Sequence, residues 1–339
     1  MEILRYYFGL FFVLIACSRI EEDYSSKAII DAFWKELQTS YAYPDRLEAI
    51  SVAFHQREQA CTSMDEKDIA LTLGKVLSQL HDGHAHVYTP WGVLGNEDYF
   101  ESFYSNVIND YTDYFESYEI LNSCLRWGKV RNYLFNYLYV RSFDGDPDNF
   151  DYLDSLVAYG VRYSDGWIID VRGNRGGLLE NSLHTASFFL PSVWHIGKFR
   201  RCVEGKHGLY TSWTSLNISP ARSGTYLKPV VVLTDRFTFS AAEWFVMAIA
   251  NLPHVTVVGD TTGGGISIPV IHELPNGWLL SIPNTQFLSS VGIDFQFSGY
   301  PPDIPVILSP ADKTSNRDTP LEFAIRYLLA KRKIFSAEK

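Results

Sequence analysis

The sequence predicts an α/β protein: a crossover-connected β/α core, β-rich additions, and a small N-terminal helical subdomain. Three observations carry this. Short apolar strands, "YLYVRSF", "GWIIDV", "PVVVLTD" and "VTVVGD", alternate with amphipathic helical patterns from about residue 132. Residues 27–80 carry apolar positions at helical spacing. A strand-like stretch, "IPVIHELPNGWLLSIP", is broken by Pro275-Asn276-Gly277, a hairpin turn signal.

Taken in order, the chain opens with "MEILRYYFGLFFVLIACSRIEED". One positive charge, Arg5, precedes an apolar run over residues 6–16 that is short for a bilayer span. This reads as a signal peptide over residues 1–17. Its end, Leu14-Ile15-Ala16-Cys17, resembles a bacterial lipoprotein cleavage box, which implies lipidation of Cys17 and a membrane anchor. Residues 18–26, with the acidic run Glu21–Asp23, read as a tether. Residues 27–90 read as the helical subdomain. Ile29, Ile30, Phe33, Trp34 and Leu37 form one stripe, and Ile69, Leu71, Leu73, Val76, Leu77 and Leu80 are read as another. It ends in "LHDGHAHVYTP", with His81, His84 and His86 close together. Residues 91–130 are aromatic and acidic without clear period and read as an insert of no assigned structure. The core then runs over 131–335. The helix "PDNFDYLDSLVAYGVRY" follows its first strand, "LLENSLHTASFFL" the second and "SAAEWFVMAIANL" the third. "TPLEFAIRYLLAKRKIF" closes the chain as an amphipathic helix with basic last turns.

Composition narrows the function. A net charge of −10, with no long basic block, argues against a nucleic-acid partner. Beyond Cys17 three cysteines remain, Cys61, Cys124 and Cys202, so at least one thiol has no intramolecular partner. There is no CxxC. The three histidines lack a distant carboxylate, His or Cys in a coherent ligand pattern, so a metal is not expected.

Two loops after buried strands could carry chemistry. In "IIDVRGNRGGLLENS", Gly173, Gly176 and Gly177 open a helix. They are either a tight turn or a set of N–H groups facing an anion. In "LTDRFTFSAAEWF", Ser240 and Glu243 fit a capping box. The same geometry sets a hydroxyl at the positive end of a helix, with the next N–H free to join an oxyanion hole.

The ordered set "LHDGHAHVY", "IIDVRGNRGG", "PVVVLTDRFTFSAAE", "VTVVGDTTGGG" and "SGYPPDIPV" resembles the tail-specific (C-terminal-processing) serine peptidase family over roughly residues 27–330. The resemblance implies a ClpP/crotonase-like spiral core and acyl transfer on peptide or unfolded protein substrates, with no cofactor. It puts Ser240 at the nucleophile position and the N–H groups of Ala241, Gly176 and Gly177 at the oxyanion hole. Much of that family uses a lysine base, whose position is taken here by Gly265. The tricorn-like branch lacks the lysine and takes its base from a histidine before the core, a position matched by His84. That branch carries a serine where this chain has Gly83 and a glutamate where it has Gln296, with Asp294 nearby as a stand-in. Gln296 is therefore expected to orient His84 without supplying charge. No complete PDZ domain fits between the histidine loop and the core. The reading that follows is a lipid-anchored serine endopeptidase of the bacterial cell envelope. Its rival is a catalytically inactive peptide- or lipophile-binding protein on the same fold. There is no GxSxG around Ser240, which disfavours an unrelated esterase.

Overall fold

The structure, a computed structural model, describes residues 25–61 and 64–337. The signal segment, Cys17 and most of the tether lie outside the described residues, as does the side chain of Cys61. Cys124 and Cys202 are free thiols.

A seven-stranded sheet organises the chain. In spatial order it holds β14 (Ile304–Pro305), β10 (Val255–Gly259), β9 (Val230–Thr234), β6 (Gly166–Asp170), β5 (Phe135–Val140), β4 (Leu125–Val130) and β3 (Phe115–Ile120). The strands from β5 to β14 are parallel, and β3 and β4 add antiparallel. Strands β5, β6, β9 and β10 follow one another in a single direction across the sheet. Right-handed crossovers taken in one direction put every connecting helix on the same face. That face carries α5 (Tyr152–Tyr163), α6 (Leu179–Ser187) and α7 (Ala241–Ile249). The opposite face carries α9 (Thr319–Ala337).

Both faces are therefore covered, and this is why the central strands are apolar without interruption. Along β6, Trp167 and Ile169 point into the α5–α7 layer while Ile168 meets α9. Along β9, Val230 and Val232 alternate with Val231 and Leu233 in the same way. Helix α7 is buried on every side, so its nine residues show no polar face.

The second unit combines the N-terminal segment with a hairpin from the later part of the chain. Helices α1 (Ser26–Ser40), α2 (Pro44–Cys61) and α3 (Glu66–Ser78) pack on a four-stranded antiparallel sheet. Its order is β11 (Pro269–Glu273), β12 (Leu279–Pro283), β1 (His86–Thr89) and β2 (Gly92–Leu94). Ser25 and Asp65 cap α1 and α3 through hydrogen bonds from Ala28 and Asp68 N–H. The expected subdomain over 27–90 is thus incomplete by itself. Its apolar helix faces close against Leu280 and Ile282 of β12, nearly two hundred residues downstream.

The expected insert over 91–130 needs a second correction. Only β2, the short α4 (Glu97–Glu101) and a 3-10 turn at Thr112–Tyr114 precede β3. Strands β3 and β4 belong to the central sheet, so the core begins near residue 115. β3 is an edge strand with mixed burial, which is why no period is readable there. A third sheet, β13 (Thr285–Ser289), β7 (Trp194–Arg201) and β8 (Thr214–Ile218), flanks α7. A short helix, α8 (Pro310–Thr314), leads into α9.

Candidate active site

The loops after β6 and β9 are stitched together by one buried carboxylate. Asp235 Oδ1 accepts from Gly173 N–H at 2.9 Å, Phe237 N–H at 3.0 Å and Thr238 N–H at 3.1 Å. Phe239 N–H donates to the Asn174 carbonyl at 3.0 Å. The chain then turns sharply into α7 at Ser240, with φ 55° and ψ −124°. A non-glycine residue there is strained, and such strain persists only where the surroundings hold it. Glu243 does much of the holding. Its carboxylate accepts from Ser240 N–H (3.2 Å), Gly264 N–H (2.7 Å), Gly265 N–H (2.6 Å) and the Thr262 hydroxyl (2.5 Å). Burial pushes this carboxyl up to about 7, against donors that favour its charged form.

The helix cap and the functional geometry coexist at Ser240. The Ser240–Glu243 capping pair is present, and the Ser240 hydroxyl also lies 3.0 Å from His84 Nε2, across 156 residues of sequence. His84 is pinned at both sides of its backbone. Its N–H donates to Asp82 Oδ1 at 3.1 Å and its carbonyl accepts from the Ser281 hydroxyl on β12 at 2.9 Å. The ring rests on Phe239, centroids 4.7 Å apart. Burial lowers its pKa to about 3, with His86 adding to the effect, so the imidazole is neutral at neutral pH. Its Nδ1 is buried and has no hydrogen-bond partner among the described residues. His86 turns to Asn96 and Tyr88, and His81 is exposed at φ 47°. Among the described residues no group of three or more His, Cys, Asp or Glu could hold a metal ion.

Two sequence expectations need correction. Gly176 N–H donates to Asn174 Oδ1 at 2.9 Å, so it is not free for an oxyanion. Gly176 matters through its missing side chain: a Cβ there would stand 2.6 Å from Ser240 Cβ. The N–H groups of Gly177 and Ala241 make no hydrogen bond among the described residues. Gln296 makes no hydrogen bond to His84. Its Oε1 accepts from Ser267 N–H at 2.9 Å and its Nε2 donates to Asp82 Oδ2 at 3.3 Å. Asp294 is also occupied elsewhere, accepting from Gln296 N–H at 2.9 Å and from the Tyr43 hydroxyl at 3.4 Å.

Phe239, Asp82 and Tyr41 were not singled out from sequence. A Cβ on Gly265 would meet the Phe239 ring at 1.9 Å, and one on Gly83 would meet it at 2.7 Å. One phenylalanine ring thus fills the space above both glycines. Tyr99 of α4 packs on the same ring and donates to the Gly263 carbonyl at 2.7 Å. Asp82 is 1% exposed, accepts from the Tyr41 hydroxyl at 3.1 Å, and burial pushes its carboxyl up to about 6. Its signal lay in the histidine stretch: an Asp two residues before a fixed residue closes an Asx-type turn on that residue's N–H. A cavity of about 360 Å³ lined by Pro191, Pro229, His254 and Tyr327 sits at the other end of β9, away from Ser240.

A model of the family described as peptidase family S41 matches residues 136–306, half of the chain and all of the strands from β5 to β14. The chain belongs to peptidase family S41. The S41 match is echoed by the carboxy-terminal processing protease CtpA of Bacillus subtilis, 30% identical over 154 residues. That match takes in 45% of this chain and 30% of the relative, and the chain spans about a third of the length of the curated relatives it matches. A crystal structure of a candidate peptidase from Parabacteroides merdae superposes with a TM-score of 0.77 at 28% identity, covering 91% of this chain and 98% of that one. The tricorn protease shares the fold at a TM-score of 0.61 and 13% identity, covering 91% of this chain and 37% of that one. The mixed α/β architecture is that of the S41 fold.

Proposed function

We propose that the chain is a serine-type endopeptidase that works through an acyl-enzyme on Ser240. The observation that carries this is the 3.0 Å approach of His84 Nε2 to the hydroxyl of a strained serine at a helix start. In the proposed reaction His84, neutral, accepts the Ser240 proton as the oxygen attacks the scissile carbonyl. The tetrahedral oxyanion is met by the N–H groups of Gly177 and Ala241, both without an acceptor among the described residues. His84 then gives its proton to the leaving amine. Water, deprotonated by the same histidine, hydrolyses the ester and returns Ser240.

Phe239 above Gly265 supports a site without a lysine base, because no side chain fits at residue 265 while the ring stands there. The short span between β2 and β3 supports a substrate path without a PDZ domain. Peptides or unfolded segments are the proposed substrates. Anchoring in the bacterial envelope through a lipidated Cys17 completes the reading. No helix among the described residues is long and apolar enough to cross a membrane.

A binding protein without turnover is the second reading, favoured by the His84 Nδ1, which has no partner among the described residues. Incubation of the full chain with a mixed peptide library separates the two. New peptide termini from wild type, none from Ser240→Ala, support the peptidase. Retained peptides with no new termini support the binding protein. Intact mass of envelope-purified protein tests the anchor: the expected species begins at an acylated Cys17, and a free unprocessed N-terminus contradicts it.

A further inference from the structure

A half-buried serine–histidine pair such as this one needs an anion close to the imidazole when the proton arrives. Gln296 carries no charge and makes no hydrogen bond to His84. We propose that Asp82 is the positioning residue that supplies this charge, with Gln296 holding it in its ionised form. The inference rests on the Ser240–His84 reading and names the carboxylate that holds the histidine loop behind that pair.

Three observations lead there. First, among the neighbouring carboxylates only Asp82 is bonded to the histidine residue, through the His84 backbone N–H at 3.1 Å. Glu243 is saturated by four donors, and Asp294 is turned to Tyr43 and the Gln296 backbone. Second, the orientation of the Gln296 amide is dictated by its surroundings. Its oxygen accepts from the Ser267 N–H, so its NH₂ must face Asp82, and an NH₂ requires an acceptor there. The Tyr41 hydroxyl and the His84 N–H face the same carboxylate as donors. All three fit a carboxylate and none demands a protonated acid. Third, no relay can pass through residue 83, because Phe239 and Tyr99 close that space at 2.7 and 2.8 Å from a would-be Cβ.

Residues 82 and 296 are therefore a matched pair. A glutamate at 296 would set its oxygen about 3.3 Å from an Asp82 oxygen, a spacing at which two carboxylates share one proton. With glutamine at 296 the single charge resides on Asp82, next to the histidine loop. Asp82 also sits at the joint of the two units, tied to Tyr41 at the end of α1 and to Gln296 of the core. Other titratable groups that bear on it or on His84 are Arg46 of α2, Tyr43, Tyr99 of α4 and His86 of β1; Glu243 of α7 and Asp294 stand one contact further off, against Tyr99 and Gln296.

The test is the second-order rate of fluorophosphonate labelling of the full chain between pH 4.5 and 9. Wild type, Asp82→Asn, Gln296→Glu and the exchange Asp82→Asn with Gln296→Glu are compared, each checked for folding by circular dichroism. The expected wild-type rate falls as pH drops through about 6. Asp82→Asn is expected to label about a hundredfold slower at pH 8 and to lose that inflection. Gln296→Glu is expected to move the inflection upward by about one pH unit or more. The exchange is expected to regain at least about tenfold over Asp82→Asn. Asp82→Asn labelling at the wild-type rate with the wild-type profile overturns the inference and leaves the Ser240–His84 pair standing. A wild type that never labels overturns the pair itself, and this inference with it. Should Asp82→Asn not fold, Gln296→Glu decides alone: an unmoved inflection overturns the inference.

Discussion

Gly176→Ala is the substitution whose outcome the geometry constrains most tightly. The new Cβ would stand 2.6 Å from Ser240 Cβ and 3.0 Å from both Ala241 N and the Phe239 carbonyl. Ordinary contact begins near 3.4 Å, so Ser240 must retreat by nearly 1 Å or Gly176 must. Residue 176 also sits at φ 103°, where a side chain costs about 1–2 kcal/mol. A displacement of about 1 Å in a reacting group lowers rates by about 10²-fold, roughly 2.7 kcal/mol of barrier. Fluorophosphonate labelling of Ser240 should therefore slow by about two orders of magnitude, with a loss of stability near 2 kcal/mol in urea. Gly277→Ala is the control. It carries φ 82° with nothing within 4 Å of its Cβ, so it should show the backbone cost alone and label at the wild-type rate. Gly176→Ala labelling within threefold of wild type would refute the claim that this glycine shapes the serine turn.

The remaining predictions are of three kinds. Gly265→Lys in a His84→Ala background should stay at background labelling, because the Phe239 ring stands where the new side chain must start; labelling restored by the lysine would contradict this. Arg172, fully buried, pairs with Asp170 and with Asp318 at the start of α9, so Arg172→Ala leaves two carboxylates buried without their cation. A loss of about 3–5 kcal/mol is expected in urea unfolding, and a loss below 1 kcal/mol would show the pair to be idle. Burial raises the Asp82 carboxyl from 3.8 to about 6. The folded state then holds the proton more tightly than the unfolded chain does, so this group's contribution is full below about pH 4 and is lost as pH rises through about 6. The loss is on the order of 3 kcal/mol. Urea midpoints at pH 4 and pH 7 should fall more steeply in wild type than in Asp82→Asn, which keeps the part owed to Glu243; an equal slope in both would refute it.

Much of the fold was legible because of where the sheet sits. β6, β9 and β10 are covered on both faces, so their sequences are apolar runs that only a buried strand explains. β3 and β4 escaped because an edge position leaves β3 half wet and its side chains follow no period. The dependence of the helical unit on β11 and β12 is a pairing across nearly two hundred residues, which no local pattern encodes. At the site, Ser240 and His84 were both named, since each stands in a stretch with its own local grammar. The error at Gly176 came from treating consecutive glycines alike, when Asn174 had already claimed one N–H. The error at Gln296 was one of partner, not of place: its amide reaches the histidine loop at Asp82 rather than at the imidazole.

Activation of Ser240 by His84 carries the proposed function. It is tested most directly by treating wild type, Ser240→Ala and His84→Ala with a fluorophosphonate and locating the adduct by peptide mass. One adduct per wild-type chain is expected, on Ser240, absent from both variants. A wild type without adduct at any pH, or a His84→Ala protein that labels as fast as wild type, would contradict it.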